Sequence, residues 1–214
     1  MLYSHFIIQH IKSHHKKVAT PEDPSTARLG ESLYQFYARA ITAGYIEVWH
    51  LEVKRLNQQG CKQWWEHLLY NRLITFNVGH VLYLTLVYLI FGGRTVVFHL
   101  LYSAMVALMY EAINYIEHYG LQRKLLPGSK DVYESVKITH SWNAPQAVSN
   151  NFLFKLQRHS DHHANSYKPY QILDSLSESP MLPYGYSVAL MLVLNPIIWK
   201  RVIDPLAIAA GKGE

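Results

Sequence analysis

The sequence predicts an all-α integral membrane protein: a transmembrane helical hairpin, interfacial helices beside it, and a cytoplasmic histidine-rich region. Three observations carry that reading. The 20 Lys and Arg residues fall as nine before residue 73 and ten after residue 118, with Arg94 alone between them. The stretch that the cations avoid contains two apolar runs, Leu73 to Phe91 and Thr95 to Ile116. Finally, 13 histidines stand against one cysteine, and six of those histidines sit in two tight clusters. The mean hydropathy of −0.04 conceals all of this, because it averages apolar runs with polar flanks.

Taken in order, residues 1–17 read as one helix, apolar first and then rich in His and Lys. Thr20-Pro21-Glu22-Asp23-Pro24 breaks it and can cap the next helix, with Pro21 fixing the backbone. Residues 31–70 mix aromatic and charged side chains at helical spacing, as an amphipathic segment at a membrane surface would. The two apolar runs are about 28 and 33 Å long at 1.5 Å per residue, which matches a hydrocarbon core of about 30 Å. They place spans at about 73–91 and 95–117, joined by the tight link Gly92-Gly93-Arg94. The cation distribution puts both flanks in the cytoplasm, and Trp64, Trp65, Tyr70 and Tyr83 read as an interfacial belt at the inner end of the first span. Residues 119–145 are loop-rich, 149–166 read as another helix, and a proline-punctuated tail follows. Its apolar stretch from Tyr186 to Trp199 is interrupted by Asn195-Pro196 and reads as interfacial or re-entrant.

Composition removes several classes. One cysteine rules out a disulfide framework, a zinc ribbon and a cysteine-held iron–sulfur cluster within this chain. A net charge of +5 could suit nucleic acid, but the cations are interspersed with 15 acids and no helix-turn-helix or zinc-finger spacing appears, so no nucleic-acid partner is expected. Residues 1–9 lack the charged and apolar regions of a secretory signal.

The histidine clusters are His10, His14 and His15, and His159, His162 and His163, with His118 ending the second span. On an α-helix, positions i and i+4 share a face while the adjacent residue turns away by about 100°, so each cluster can aim two imidazoles at one metal ion and the third at another. Seven nitrogen donors exceed what one ion takes, which favours a dinuclear site. Imidazole without thiolate suits redox iron handling dioxygen, or hydrolytic zinc. Around the ligands, Asp161 can accept an imidazole N–H and fix a tautomer. Glu117 and Glu111 are carboxylates in the span, which are costly there unless they face the protein interior. His140 is a further supporting candidate. His80 and His99 lie alone in apolar runs and are assigned to packing.

Residues 156–164 (Leu-Gln-Arg-His-Ser-Asp-His-His-Ala) resemble the third histidine box of the integral-membrane alkane 1-monooxygenases, the non-haem di-iron alkane hydroxylases. Asn114-Tyr115-Ile116-Glu117-His118-Tyr119-Gly120-Leu121 resembles that family's His-Tyr-Gly motif. Ala19 to Pro24 with Ala27 to Ser32 is similar to the stretch after its second box, and His140-Ser141-Trp142-Asn143 adds a fourth match. The resemblance implies a multi-pass enzyme of the cell inner membrane, its site facing the cytoplasm. It would hydroxylate the terminal methyl of medium- or long-chain alkanes with dioxygen. Two non-haem iron ions would be held by His10, His14, His15, His118, His159, His162 and His163. Electrons would come from rubredoxin, reduced in turn by rubredoxin reductase, and a basic cytoplasmic face suits that acidic donor. The alkane would enter from the lipid phase past Leu108, Ile113 and Ile116.

Two departures stand out. Gln9 replaces the glutamate that opens the family's second box, and Ser13 replaces a frequent glycine. The family's earlier box, His-Glu-Leu-x-x-His, has no counterpart before His10, so 1–214 is expected to be a single hydroxylase domain lacking its N-terminal part, with no efficient turnover alone. The neighbouring readings are a membrane fatty-acyl desaturase or hydroxylase, and a metal-binding fragment without turnover.

Overall fold

The computed structural model describes residues 2–212. Among them the chain is helical, and the only extended pairings are two isolated bridges, Leu125 with Tyr133 and Asn143 with Met181. The helices are α1 (Phe6–Gln9), α2 (His15–Lys17), α3 (Leu33–Gln58), α4 (Trp64–Tyr70), α5 (Arg72–Phe91), α6 (Gly93–His118), α7 (Ala147–Phe152), α8 (His159–Ala164), α9 (Tyr186–Leu192) and α10 (Pro196–Lys212). The chain divides into two compact units. One comprises Met1–Ser13 and Ile41–Tyr110, the other His14–Ala40 and Glu111–Glu214.

In the first unit α5 and most of α6 form the apolar pair. Both are long and apolar enough to cross a membrane, and only 11% and 17% of their most apolar stretches are buried. A buried core helix of a soluble protein would show the reverse, so the low burial argues that lipid solvates these faces. Asn71 caps α5 by accepting the Leu73 N–H at 2.9 Å. The link between the spans is a single residue: Gly92 ends α5 at φ 78°, and α6 begins at Gly93. Tyr83 lies in the middle of α5, where its hydroxyl meets His99 Nε2 at 2.6 Å, and His80 meets Ser4 at 2.9 Å. Both lone histidines are therefore satisfied by neighbours, as assigned. The buried residues of this unit are few, with Ile8, Val48 and Leu73 forming its apolar cluster. Beside them the buried Glu52 carboxylate takes bonds from Arg55 at 2.8 Å and Arg72 at 2.6 Å.

The second unit has a broad core in which Phe36, Tyr115, Ile116, Tyr119, Trp142, Tyr186, Trp199 and Ile203 are buried together. Aromatic rings give this core its area, and the polar tips of Trp142 and Tyr119 are tied off. Trp142 Nε1–H donates to the Tyr119 carbonyl at 2.8 Å, and the Tyr119 hydroxyl donates to Asp204 at 2.6 Å. Gly120 follows at φ 71°, and a Cβ there would stand 2.9 Å from the Ala207 side chain, so conformation and space both require glycine.

Three expectations about elements change. Residues 1–17 are helical, but His10–His14 form a π-turn between α1 and α2, which alters the simple i, i+4 geometry of the cluster. Residues 149–166 are two short helices, not one: Phe154 and Lys155 take positive φ (50° and 59°), and the Lys155 N–H turns back to the Asn150 carbonyl at 2.7 Å. Asn195-Pro196 interrupts the apolar stretch as expected, between α9 and α10, but it also opens a helix that runs well past Trp199. The Asn195 side chain accepts the Ile197 and Ile198 N–H groups at 3.1 and 3.3 Å, and Pro196 is the first residue of the 17-residue α10.

Candidate metal centre

Three segments of the second unit meet at a group of imidazoles. His118 is the last residue of α6, His159 and His163 lie one turn apart on α8, and His14 precedes α2. One ligand atom from each of these four buried residues lies within 4.8 Å of every other. His159 Nε2 stands 3.2 Å from His118 Nε2 and 3.0 Å from His163 Nε2. Donors bound to one ion at about 2.1 Å are separated by about 3.0–3.4 Å along the edge of a tetrahedron or octahedron. Two of the nitrogen pairs thus already have the spacing of a coordination polyhedron.

The outer nitrogens of two of the imidazoles are held by groups that fix the tautomer. His14 Nδ1 donates to the buried Asp23 carboxylate at 2.8 Å, and His118 Nδ1 donates to the His140 carbonyl at 3.3 Å. A proton on Nδ1 leaves the Nε2 lone pair facing the cluster, as a metal requires. Asp23 is itself oriented by the Thr26 hydroxyl at 2.6 Å and the Ser25 N–H at 3.1 Å. Burial would raise its carboxyl, but His14 and the Thr26 bond outweigh that and hold it below the ordinary value. On the far side of the cluster, Glu117 Oε2 lies 3.2 Å from His159 Nε2.

Next to the four-imidazole group, the His15 ring lies 4.8 Å from that of His162 and 4.7 Å from that of His163. Burial, then the neighbouring imidazoles of His162 and His14, lower the His15 pKa to about 4. Burial and the rings of His159 and His118 hold His163 well below its ordinary value, and His162 is lowered chiefly by burial. These groups are neutral near pH 7, the state that binds a metal ion. Four converging nitrogen donors, two of them with their tautomer oriented by a neighbour, fit a borderline divalent transition metal.

The fatty acid desaturase family matches residues 1–190. The chain belongs to that family. It is 41% identical over 212 residues to alkane 1-monooxygenase 2 of Alcanivorax borkumensis, covering 99% of this chain and 54% of that protein. It is 41% identical over 214 residues to alkane 1-monooxygenase of Ectopseudomonas oleovorans, covering 99% of this chain and 52% of that one. At 26% over 200 residues it is similar to the hydroxylase component of a xylene/toluene monooxygenase of Pseudomonas putida, with 92% of this chain and 50% of that protein covered. The chain spans about half the length of the curated relatives it matches.

Within this member of the desaturase family, the sequence-nominated histidines of the second unit form two groups. His14, His118, His159 and His163 come together, and His15 pairs with His162. His10 lies in the other compact unit, where its ring stacks on Phe6 at 5.2 Å. Among the supporting groups, Glu117 reaches a donor nitrogen, whereas His140 contributes its backbone carbonyl; its own Nδ1 accepts the Lys137 N–H at 3.0 Å. Asp161 does not hold an imidazole. Its carboxylate takes the Asp174 N–H at 2.8 Å, Asn165 at 2.7 Å and Lys168 at 3.0 Å, closing the loop after α8. These bonds overcome the upward effect of burial and keep the carboxyl below its ordinary value. Glu111 is buried and receives the Asn114 amide at 3.4 Å. Of the nominated apolar residues, Ile116 is packed into the core, Ile113 lies against it, and Leu108 is exposed. The residue the sequence reasoning missed is Asp23. Its signal was present: Asp followed by Ser and Thr two and three positions on is the pattern of a self-bonded turn, read above only as a helix break.

Proposed function

We propose that this chain carries the histidine-rich part of a membrane hydroxylase that converts medium- or long-chain alkanes to 1-alkanols with dioxygen. The observation that supports this most is the convergence of four buried imidazoles, two of them with Nδ1 held by a neighbouring group, in a chain about 40% identical to alkane 1-monooxygenases. His14, His118, His159 and His163 would hold one iron, and His15 and His162 would supply donors to a second; His10 is proposed as a ligand on its motif alone. When bound, two non-haem irons would supply the redox chemistry that activates dioxygen.

The protein's own tasks follow from its groups. Asp23 and the His140 carbonyl keep Nδ1 protonated on His14 and His118, so that Nε2 faces inward. The aromatic core around Trp142 and Tyr186 excludes water from one side of the cluster. A hydrocarbon dissolves in the bilayer at about 0.8 kcal/mol per methylene, so the apolar surfaces of α5 and α6 suit delivery from lipid. The proposed setting is the inner membrane with the site on the cytoplasmic side. The proposed electron donor is rubredoxin, served by rubredoxin reductase. The family match also favours a second reading, oxidation of a fatty-acyl chain by the same centre.

Replacing His118 by alanine tests the assignment. In lipid nanodiscs, the wild-type protein loaded with iron should bind metal and the variant should lose it, as measured by elemental analysis, with loss of 1-alkanol from dodecane. Full metal content in the variant would refute the ligand set. Product from a fatty-acyl substrate and none from dodecane would favour the second reading.

A further inference from the structure

An apolar cavity of about 290 Å³ opens beside the histidines, apart from the spans. Its walls are Leu153, Phe154, Leu156, Tyr170 and Leu173, and its floor is His159 and His162. All of these residues belong to one compact unit and none lies in α5 or α6. The walls are held in shape. Positive φ at Phe154 and Lys155 sets the turn that presents Leu153 and Leu156. The Arg158 guanidinium donates to the Leu173 carbonyl, and Asp161 fastens the following loop to α8 through the Asp174 N–H.

The lining offers a ligand almost no hydrogen bonds other than those of the two imidazoles. Cavities walled by Leu and Phe stay dry and take up small apolar molecules such as xenon or benzene. A volume of about 290 Å³ lies at the lower limit of small-molecule pockets, which favours a small occupant. A long hydrocarbon dissolved in the bilayer would arrive along the spanning helices, which contribute nothing to these walls. We propose that this cavity is the binding and entry site for dioxygen, delivering it to the His159–His162 side of the centre by a route separate from that of the hydrocarbon. The inference rests on the hydroxylase reading, which supplies dioxygen as a reactant.

Dioxygen is paramagnetic and therefore reports its own position. With methyl-labelled leucine in nanodiscs under dioxygen pressure, the methyl groups of Leu153, Leu156 and Leu173 should relax several-fold faster than those of the exposed Leu29. Xenon should occupy the same place and slow that effect by competition. Leu156→Phe should fill the cavity, abolish both signals and raise the KM for dioxygen several-fold, more than it lowers kcat. Should Leu156→Phe fail to fold, Phe154→Ala at the exposed rim widens the mouth and should weaken xenon retention. Uniform relaxation across all leucines, or an unchanged KM for dioxygen in a variant that excludes xenon, would overturn the proposal. Displacement of xenon by dodecane would overturn it too, by giving the cavity to the hydrocarbon. The relaxation and xenon measurements need no turnover. Dioxygen seated here in a protein whose histidines bind no iron would refute the hydroxylase reading and leave the binding site standing.

Discussion

The two compact units solve opposite problems with the same kind of helix. In the unit made of Met1–Ser13 and Ile41–Tyr110, apolar side chains face outward: Leu82, Leu89, Phe91, Phe98 and Leu101 are each more than 60% exposed. Several polar groups there are satisfied in isolated pairs, Ser4 with His80, Asn77 with Tyr45 and Tyr83 with His99. In the other unit the buried positions include His14, Asp23, Glu117, His118, His140, Asn143, His159 and His163. Where lipid solvates the outside, burial no longer sorts residues by hydrophobicity. A polar group is inside because a second group holds it in one orientation. Asn143 shows how dense this becomes: its amide donates to Ser160 and to Ser179 at 2.7 Å each, while its oxygen accepts the Ser160 N–H at 2.9 Å.

That contrast can be attacked from both sides. The largest effect is expected at Asp23. Asp23→Asn retains an acceptor for Ser25 but weakens the hold on His14, and removal of such a partner typically costs 10–100-fold in metal affinity. Equilibrium dialysis against cobalt(II) measures this, and an unaltered affinity would show that His14 is oriented by something else.

Glu52 is the equivalent test in the first unit. Burial would raise its carboxyl, but bonds from Arg72 and Arg55 bring it down to about 2. A carboxyl depressed below its unfolded value of 4.5 stabilises the fold above pH 4.5, and that contribution disappears as pH falls from about 4.5 toward 2. With Arg72 half-exposed, Glu52→Gln should cost about 2 kcal/mol at pH 7. In denaturant-driven unfolding in mixed micelles, the gap between wild type and variant should narrow below pH 4.5, while metal content stays the same. A gap independent of pH would assign the loss to packing.

The smallest effect belongs to Tyr83→Phe. Hydrogen bonds between spanning helices contribute on average well under 1 kcal/mol, because lipid-facing groups find other partners. The same unfolding assay should show a shift below about 1 kcal/mol. A larger one would make the Tyr83–His99 pair a central clasp of the hairpin.

The parts of this design legible in the sequence were those with a strong one-dimensional signal. The bounds of α5 and α6 follow from where Lys and Arg stop, and the exclusion of His80 and His99 followed from their isolation. The pattern at His159, His162 and His163 announced convergence because a short helix repeats it locally. What could not be read were choices made by tertiary contacts. Asp161 and Asp23 are both acidic residues near histidines. Asp161, inside the cluster, turned outward to Lys168 and Asn165, while Asp23, nine positions beyond His14, turned inward. Proximity in sequence favoured the wrong one. The break within 149–166 rests on two residues with positive φ that are not glycine, and neither Phe154 nor Lys155 carries a local signal for it. Asn195-Pro196 was legible but ambiguous, since the same dipeptide can end one helix or open the next.

The spacing of the four imidazoles along the chain fixes an order of events. His118 and His159 are 41 positions apart, and about a hundred residues separate His14 from His118. Closing loops of that size costs about 3–4 kcal/mol each before any contact forms. An ion meeting the unfolded polypeptide could gather only one local cluster, at His10–His15 or at His159–His163, too few donors to offset those closures. Any ion would therefore be captured after folding, on a site already shaped by the interior network around Asn143.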